Sequence, residues 1–412
     1  MRIGRTLPPA ASPLTLSDIF AGFEGIVRGQ KEVARFTDEL REWFNCRHVF
    51  PVSSGKAALT LTLQVLKARH PERDHVLIPA FTCYSVPSAI VRAGLKVRLC
   101  DVDPATLDFD YTHLKPILSD PRLLCVVPVN LFGLPADVDR IRSMLPASVA
   151  VVEDAAQAMG GTSRGRLLGM RGDVGFFSLG RGKALSTVEG GLILTNSDEI
   201  GRGLEDECRH LASYGPMPTA TLFLYALALW LLSRPSFFWL PKAIPFLRLG
   251  ETIFDTGFTL RCLSGFQAGL ARSWTRRLLE LQEGRRRSVQ VWRNVLPASS
   301  RPEYADDLPL LRFPVMTASP NQARRLWRES ERLGLGVAPA YPLPIHQLPE
   351  LADEFEGQSY PGAAEIAQRL ITLPVHPFVR KNDQRRIREL LEPCWGSIAE
   401  TATTNTEVES LS

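Results

Sequence analysis

Between residues 149 and 196 short apolar runs alternate with polar turns, and this stretch limits the fold more than any other part of the chain. Val149 to Val152 is a small, mostly β-branched run that ends on Glu153 and Asp154, the pattern of a buried strand delivering carboxylates to the C-terminal edge of a sheet. Val174 to Ser178 then leads into a glycine-rich turn carrying one lysine, Lys183, and a third run, Gly191 to Thr195, takes the chain back. Lys183 is thereby pinned on a turn between strands, near a carboxylate from a neighbouring strand. Carbonyl chemistry through a Schiff base needs that pair: an amine to form the imine, and an aspartate to keep a pyridinium ring protonated so that it accepts electrons from a carbanion. Opposite charges about 4 Å apart attract by roughly 4 kcal/mol at an effective dielectric of 20, enough to hold a pyridinium at neutral pH. A lysine after glycine is also a common solvated loop charge, and an aspartate at a strand end a common cap. The residues alone leave both open.

Upstream, His48 to Val52 reads as a strand feeding Ser53-Ser54-Gly55 and then an Ala/Leu-rich helix from Lys56, Ala57 and Ala58. Backbone N–H groups and the positive end of a helix dipole meet there, which makes an anion cradle. It is not a Walker loop, because the two-glycine spacing and the Lys-Ser/Thr pair are missing. Val76 to Tyr84, Val97 to Asp101 and Cys125 to Asn130 continue a strand and helix alternation that predicts a mainly parallel sheet with helices on both faces and ligands at the strand C-termini. The first helix is expected near Ser17, a second over Gln30 to Phe44 and a long amphipathic one over Trp274 to Val295. Beyond it, a strand-like Leu310 to Val315 and helices near Asn321 to Leu333 and Ala363 to Leu370 predict a small C-terminal domain.

Several of these segments resemble the DegT/StrS family of sugar aminotransferases, which have fold type I and use pyridoxal 5'-phosphate (PLP). Glu153-Asp154-Ala155-Ala156-Gln157 matches that family's E-D-A-A-Q, and Ser178 to Lys183 matches its S-F-x-x-x-K spacing, with Glu189-Gly190-Gly191 and Thr195-Asn196 following. Ser53 to Leu59 resembles its S-S-G-T-A-A-L, with Lys56 in place of threonine, and Leu373 to Pro377 its L-P-L-H-P. The resemblance implies that Lys183 forms the Schiff base, Asp154 pairs with the ring nitrogen, Gln157 lies near the ring hydroxyl and Ser178 contacts the phosphate. It also implies that the backbone of Gly55, Lys56 and Ala57 grips the phosphate. The ring that would stack on PLP aligns with Cys83, one place before Tyr84, and Leu260, Arg261 and Cys262 stand where Asn, aromatic and Arg are expected. His376 is a weak catalytic candidate, since a histidine beside prolines is more often a structural donor.

The expected fold is therefore α/β: a fold type I PLP-dependent transferase with a large domain over 1–260, a linking helix and small α+β domain over 261–398, and a disordered polar tail over 399–412. An apolar insertion at about 219–249 interrupts the large domain. Its core, Leu222 to Leu232, falls short of the roughly 20 residues a membrane span needs and is broken by Ser233-Arg234-Pro235. It is expected to be buried in a domain or subunit contact, with peripheral membrane contact through Leu222 to Leu240 as the alternative. Seven cysteines without CxxC pairing suggest neither disulfides nor a metal site, and with no apolar signal region they point to a reducing cytoplasm. A net charge of +4 on dispersed arginines does not indicate nucleic-acid binding. The expected activity is transfer of an amino group from an amino acid, by analogy glutamate, to a keto-sugar, nucleotide-linked and destined for polysaccharide or secondary metabolites, in a homodimer. Two alternatives stand beside it: a PLP-binding regulator without turnover, and a membrane-surface component of polysaccharide assembly.

Overall fold

Strands buried on both faces read as continuous apolar runs, and that is how the middle of the main sheet is written. The structure, a computed structural model, describes residues 3–244, 252–304 and 307–395. In chain order its strands are β1 (His48–Val52), β2 (His75–Pro79), β3 (Lys96–Cys100), β4 (Leu123–Val126), β5 (Ala150–Asp154), β6 (Thr162–Ser163), β7 (Arg166–Leu167), β8 (Val174–Ser178) and β9 (Gly191–Thr195). Seven of them form one sheet in the order β1-β9-β8-β5-β4-β2-β3, and β6 pairs with β7 as a separate hairpin. The interior strands β4 and β9 are buried along their whole length, whereas the edge strands β1 and β3 mix buried and open positions.

Strands β3, β2, β4, β5 and β8 run parallel, as expected, but β9 is antiparallel to both β8 and β1. The cause lies in the connection: Leu179 to Gly190 contains no helix, and a parallel return needs a helical crossover. The turn bearing Lys183 is therefore the tip of a hairpin between two neighbouring strands. Helix Gly55–Arg69, behind it, is apolar almost all round because it packs on the sheet and on helix Ser85–Arg92 together.

The C-terminal part forms a three-stranded antiparallel sheet from β10 (Phe313–Met316), β11 (Ala338–Pro339) and β12 (Leu370–Leu373), in the order β10-β12-β11. The helix expected over Ala363 to Leu370 is Pro361–Arg369, with Leu370 already in β12. Helix Trp274–Val295 links the two sheets and buries Trp274, Arg285 and Trp292 completely; the Trp292 Nε1–H donates to the Pro374 carbonyl at 3.2 Å. A further tie comes from Asp101 beyond β3, whose carboxylate accepts the N–H groups of Gly362 and Ala363 at 2.8 Å each and so caps helix Pro361–Arg369. Gly362 is required there, since a Cβ would stand 2.0 Å from the Val102 carbonyl oxygen.

The apolar insertion folds as helix Pro216–Leu232 and the short helix Trp239–Lys242; its end at 245–249 and the 399–412 tail lie outside the described residues. Within the single chain it is only partly buried. Leu222 and Ala226 pack on Leu14, Ile19, Phe266 and Leu270, while Met217, Leu224 and Tyr225 stay exposed. Among the described residues no helix is long and apolar enough to cross a membrane.

Candidate active site

Asp154 and Lys183 face one cavity of about 710 Å³ at the C-terminal ends of β5 and β8. Strand alternation sorts the adjacent carboxylates. Glu153 is fully buried on the other side, accepting from Asn130 Nδ2 at 2.9 Å and the Arg171 N–H at 2.8 Å, while Asp154 turns to the cavity and, among the described residues, accepts only the Ala156 N–H, at 2.9 Å. Burial pushes the Asp154 carboxyl up to about 6, against the pull of that N–H and of the Lys183 charge. A buried carboxylate with no ion-pair partner within 4.0 Å among the described residues is a site waiting for a cation, and a protonated pyridine nitrogen is one.

Ser54 ends its extended segment as the N-cap of helix Gly55–Arg69. Its hydroxyl accepts the Ala57 N–H at 3.0 Å. This corrects the expectation for Ala57: it lies outside the cavity lining and its donor is already used. Gly55 and Lys56 line the cavity, and among the described residues their N–H groups have no acceptor. The cradle is tight. A Cβ on Gly55 would lie 3.0 Å from the Ser178 Cβ, and one on Gly191 would lie 2.2 Å from the Ser54 carbonyl oxygen. Two open N–H groups at a helix start beside the Ser178 hydroxyl suit a phosphate. Cys83 and Gln157 complete the lining, so the residues present fit PLP.

Three neighbouring side chains are committed elsewhere. Lys56 directs its Nζ to Asp255 at 2.7 Å and over the Phe258 ring, 4.5 Å from its centroid, so its charge is already committed. A partly exposed pair of that kind contributes little, and Lys56→Thr is expected to change PLP affinity by less than about fivefold in a cofactor titration. Tyr84 does not stand in for the ring missing at Cys83, because it is buried and its hydroxyl exchanges hydrogen bonds with the Leu343 carbonyl (2.9 Å) and N–H (2.8 Å). His376 is structural: fully buried, it donates from Nε2 to the Pro8 carbonyl at 2.7 Å, and burial takes its imidazole down to about 4.

Residues that no motif flagged hold the lysine turn. Arg285, buried on helix Trp274–Val295 and pulled down to about 10 by desolvation, donates to the carbonyls of Lys183 (3.2 Å) and Ala184 (3.1 Å) and to the Ser12 hydroxyl (2.9 Å). Ser12 in turn donates to the Lys183 carbonyl. Val188, at φ +77°, carries strain in the same turn, and Gly182 takes φ +69° without any. Arg285→Met leaves the Ala184 carbonyl unpaired, the Lys183 carbonyl with Ser12 alone and the lysine loosely aimed, so kcat at saturating PLP is expected to fall roughly tenfold to a hundredfold. Arg285→Lys should recover part of that loss, which a purely apolar packing role would not allow. From the small sheet's side Tyr341 reaches in, its hydroxyl accepting from Gln157 Nε2 at 3.2 Å. The signal for these contacts is tertiary, and no local spacing carries it.

The sequence profile of the DegT/DnrJ/EryC1/StrS aminotransferase family matches residues 23–392. The chain is 30% identical over 330 residues to an L-glutamine:2-deoxy-scyllo-inosose aminotransferase of Streptoalloteichus tenebrarius, covering 76% of this chain and 70% of that protein. It is 29% identical over 187 residues to a GDP-perosamine synthase of Caulobacter vibrioides, covering 43% of this chain and half of that protein. In three dimensions it superposes on AtS13 from Actinomadura melliaura with a TM-score of 0.76 at 21% identity, over 96% of this chain and all of that one, a likeness of fold. A cavity that sets a lone buried carboxylate and a lysine opposite a phosphate cradle thus sits in a chain whose sequence matches one group of enzymes almost from end to end: it is a PLP-dependent sugar aminotransferase of the DegT/DnrJ/EryC1/StrS family.

Proposed function

We propose that the chain moves an amino group from glutamate or glutamine to a keto-sugar during the building of a surface polysaccharide or secondary metabolite, with Lys183 and Asp154 as its catalytic residues. The observation that carries this is the shared cavity of those two side chains. When bound, PLP supplies an electron sink for the carbanion at the donor's α-carbon. Asp154 would keep a proton on the ring nitrogen, and Lys183 would bond the cofactor and move a proton at the donor's α-carbon. Open N–H groups at Gly55 and Lys56 and the Ser178 hydroxyl hold the phosphate. Gln157 would hold the ring hydroxyl and Cys83 would cover one face of the ring. Support for glutamine as donor comes from the relative named for it.

On this reading two copies associate, and Phe20, Phe23 and Val27, exposed on helix Leu16–Arg28, give them an apolar face to share. Sedimentation of the active protein as a monomer would remove that part. The reaction itself is tested with the purified PLP-loaded protein: L-glutamate or L-glutamine should convert the visible cofactor band to that of its amino form, and a keto-sugar should restore it. A band that neither donor changes would favour a PLP-binding protein without turnover.

A further inference from the structure

The cavity has a second wall that amino-group chemistry does not require. One stripe of helix Pro216–Leu232, namely Tyr225, Ala228, Leu229 and Leu232, lines it at i, i+3, i+4 and i+7, and Phe238 extends the same wall. No charged side chain occurs anywhere along that helix. Leu222 and Ala226 hold the helix to Leu14, Ile19, Phe266 and Leu270, and Leu229 packs partly against the same group, while Tyr225, Ala228 and Leu232 take no part in that anchoring contact. Opposite stand Asp154, Ser178 and Lys183. At the rim Arg181 lines the cavity with no carboxylate within 4.0 Å among the described residues.

Resting on the aminotransferase reading above, we propose that the acceptor is a keto-sugar carried on a lipid through a phosphate or diphosphate linkage. The sugar carbonyl lies by Lys183, the anionic linkage by Arg181, and the hydrocarbon chain along the stripe from Tyr225 to Leu232. A nucleobase in that position would lose its hydrogen bonds to water and find only the Tyr225 and Ser233 hydroxyls in return, whereas a hydrocarbon needs no such partners. Leu231, Phe237, Leu240 and Ile244, in the same segment as the stripe, are exposed and offer apolar surface to a chain longer than the cavity. In the reaction the keto carbon exchanges its oxygen for the donor's amino group and one hydrogen. The donor becomes a 2-oxo acid, the ketone a primary amine, and no outside oxidant or reductant is consumed.

The test is a titration of the PLP-loaded protein with geranyl diphosphate, UDP and inorganic diphosphate, read by tryptophan fluorescence. Geranyl diphosphate is expected to bind at least about tenfold tighter than the other two, and Leu229→Asn and Leu232→Asn should each weaken it by about tenfold or more while leaving inorganic diphosphate unchanged. Arg181→Gln should weaken both diphosphates. Retention of the visible cofactor band shows that each variant is folded. UDP binding as tightly as geranyl diphosphate overturns the proposal. So does a Leu229→Asn variant that changes the sedimentation coefficient and not geranyl diphosphate affinity, since the stripe would then belong to a second copy. The donor half-reaction, read on the unmodified protein, separates the two ideas. Its absence removes the aminotransferase reading, while its presence without a preference for geranyl diphosphate removes only the lipid-linked acceptor.

Discussion

Lys183→Ala protein is expected to fold, to bind PLP without the visible band of the Schiff base, and to lose turnover by roughly 10⁴-fold or more, because the bonding amine and the proton carrier are the same group. Folding should survive because Arg285 and Ser12 hold this residue by its backbone carbonyl, which the substitution keeps. The thermal midpoint without cofactor should therefore stay close to that of the parent. An unchanged band in the variant would show that another amine bonds the cofactor and would sink the assignment.

Asp154→Asn is expected to move activity and stability in opposite directions. Desolvation lifts the Asp154 carboxyl to about 6, so between about pH 4 and pH 6 the folded chain keeps a proton here that the unfolded chain has released. Stability consequently falls as pH rises through that window, by up to about 3 kcal/mol, and the cost persists at neutral pH as long as no cation sits opposite. An amide carries no such cost. Cofactor-free Asp154→Asn should be more resistant to heat than the parent at pH 7, with the difference fading near pH 4, below which both side chains are neutral. Turnover should fall by roughly 10³-fold or more, since an amide cannot keep the ring nitrogen protonated at the moment charge develops. A variant that is less stable than the parent at pH 7, or one that turns over normally, would show that Asp154 is not a carboxylate held in reserve for a cation.

What the chain reveals of itself in sequence is local. Trp274 to Val295 reads as one helix because its period carries that information, whereas the grouping of Asp154, Ser178 and Lys183 is what the family resemblance implies, the residues alone leaving it open. Strand direction is not written in period: Gly191 to Thr195 reads the same whether it runs with β8 or against it, and only the helix-free connection decides. The N-terminus of helix Gly55–Arg69 shows how one residue matters. Which N–H stays open depends on which side chain caps, and Ser54 takes that of Ala57. The Lys56 side chain is drawn off to Asp255 while its N–H stays open, and Arg285, Tyr341 and Ser12 reach the site only through the fold.

The first ordered residues have a consequence for the timing of assembly. Arg5 pairs with Asp383 at 2.6 Å, 378 positions later, Leu7 donates to the Gly334 carbonyl, the Pro8 carbonyl meets His376, and Ser12 ends the segment on the Lys183 carbonyl. Residues 5–8 are made long before their partners Gly334, His376 and Asp383. The segment that carries Ser12 to the lysine turn is therefore anchored only after helix Lys381–Trp395 has been added, and a chain cut before that helix is expected to hold Lys183 on a looser turn and to bind PLP more weakly.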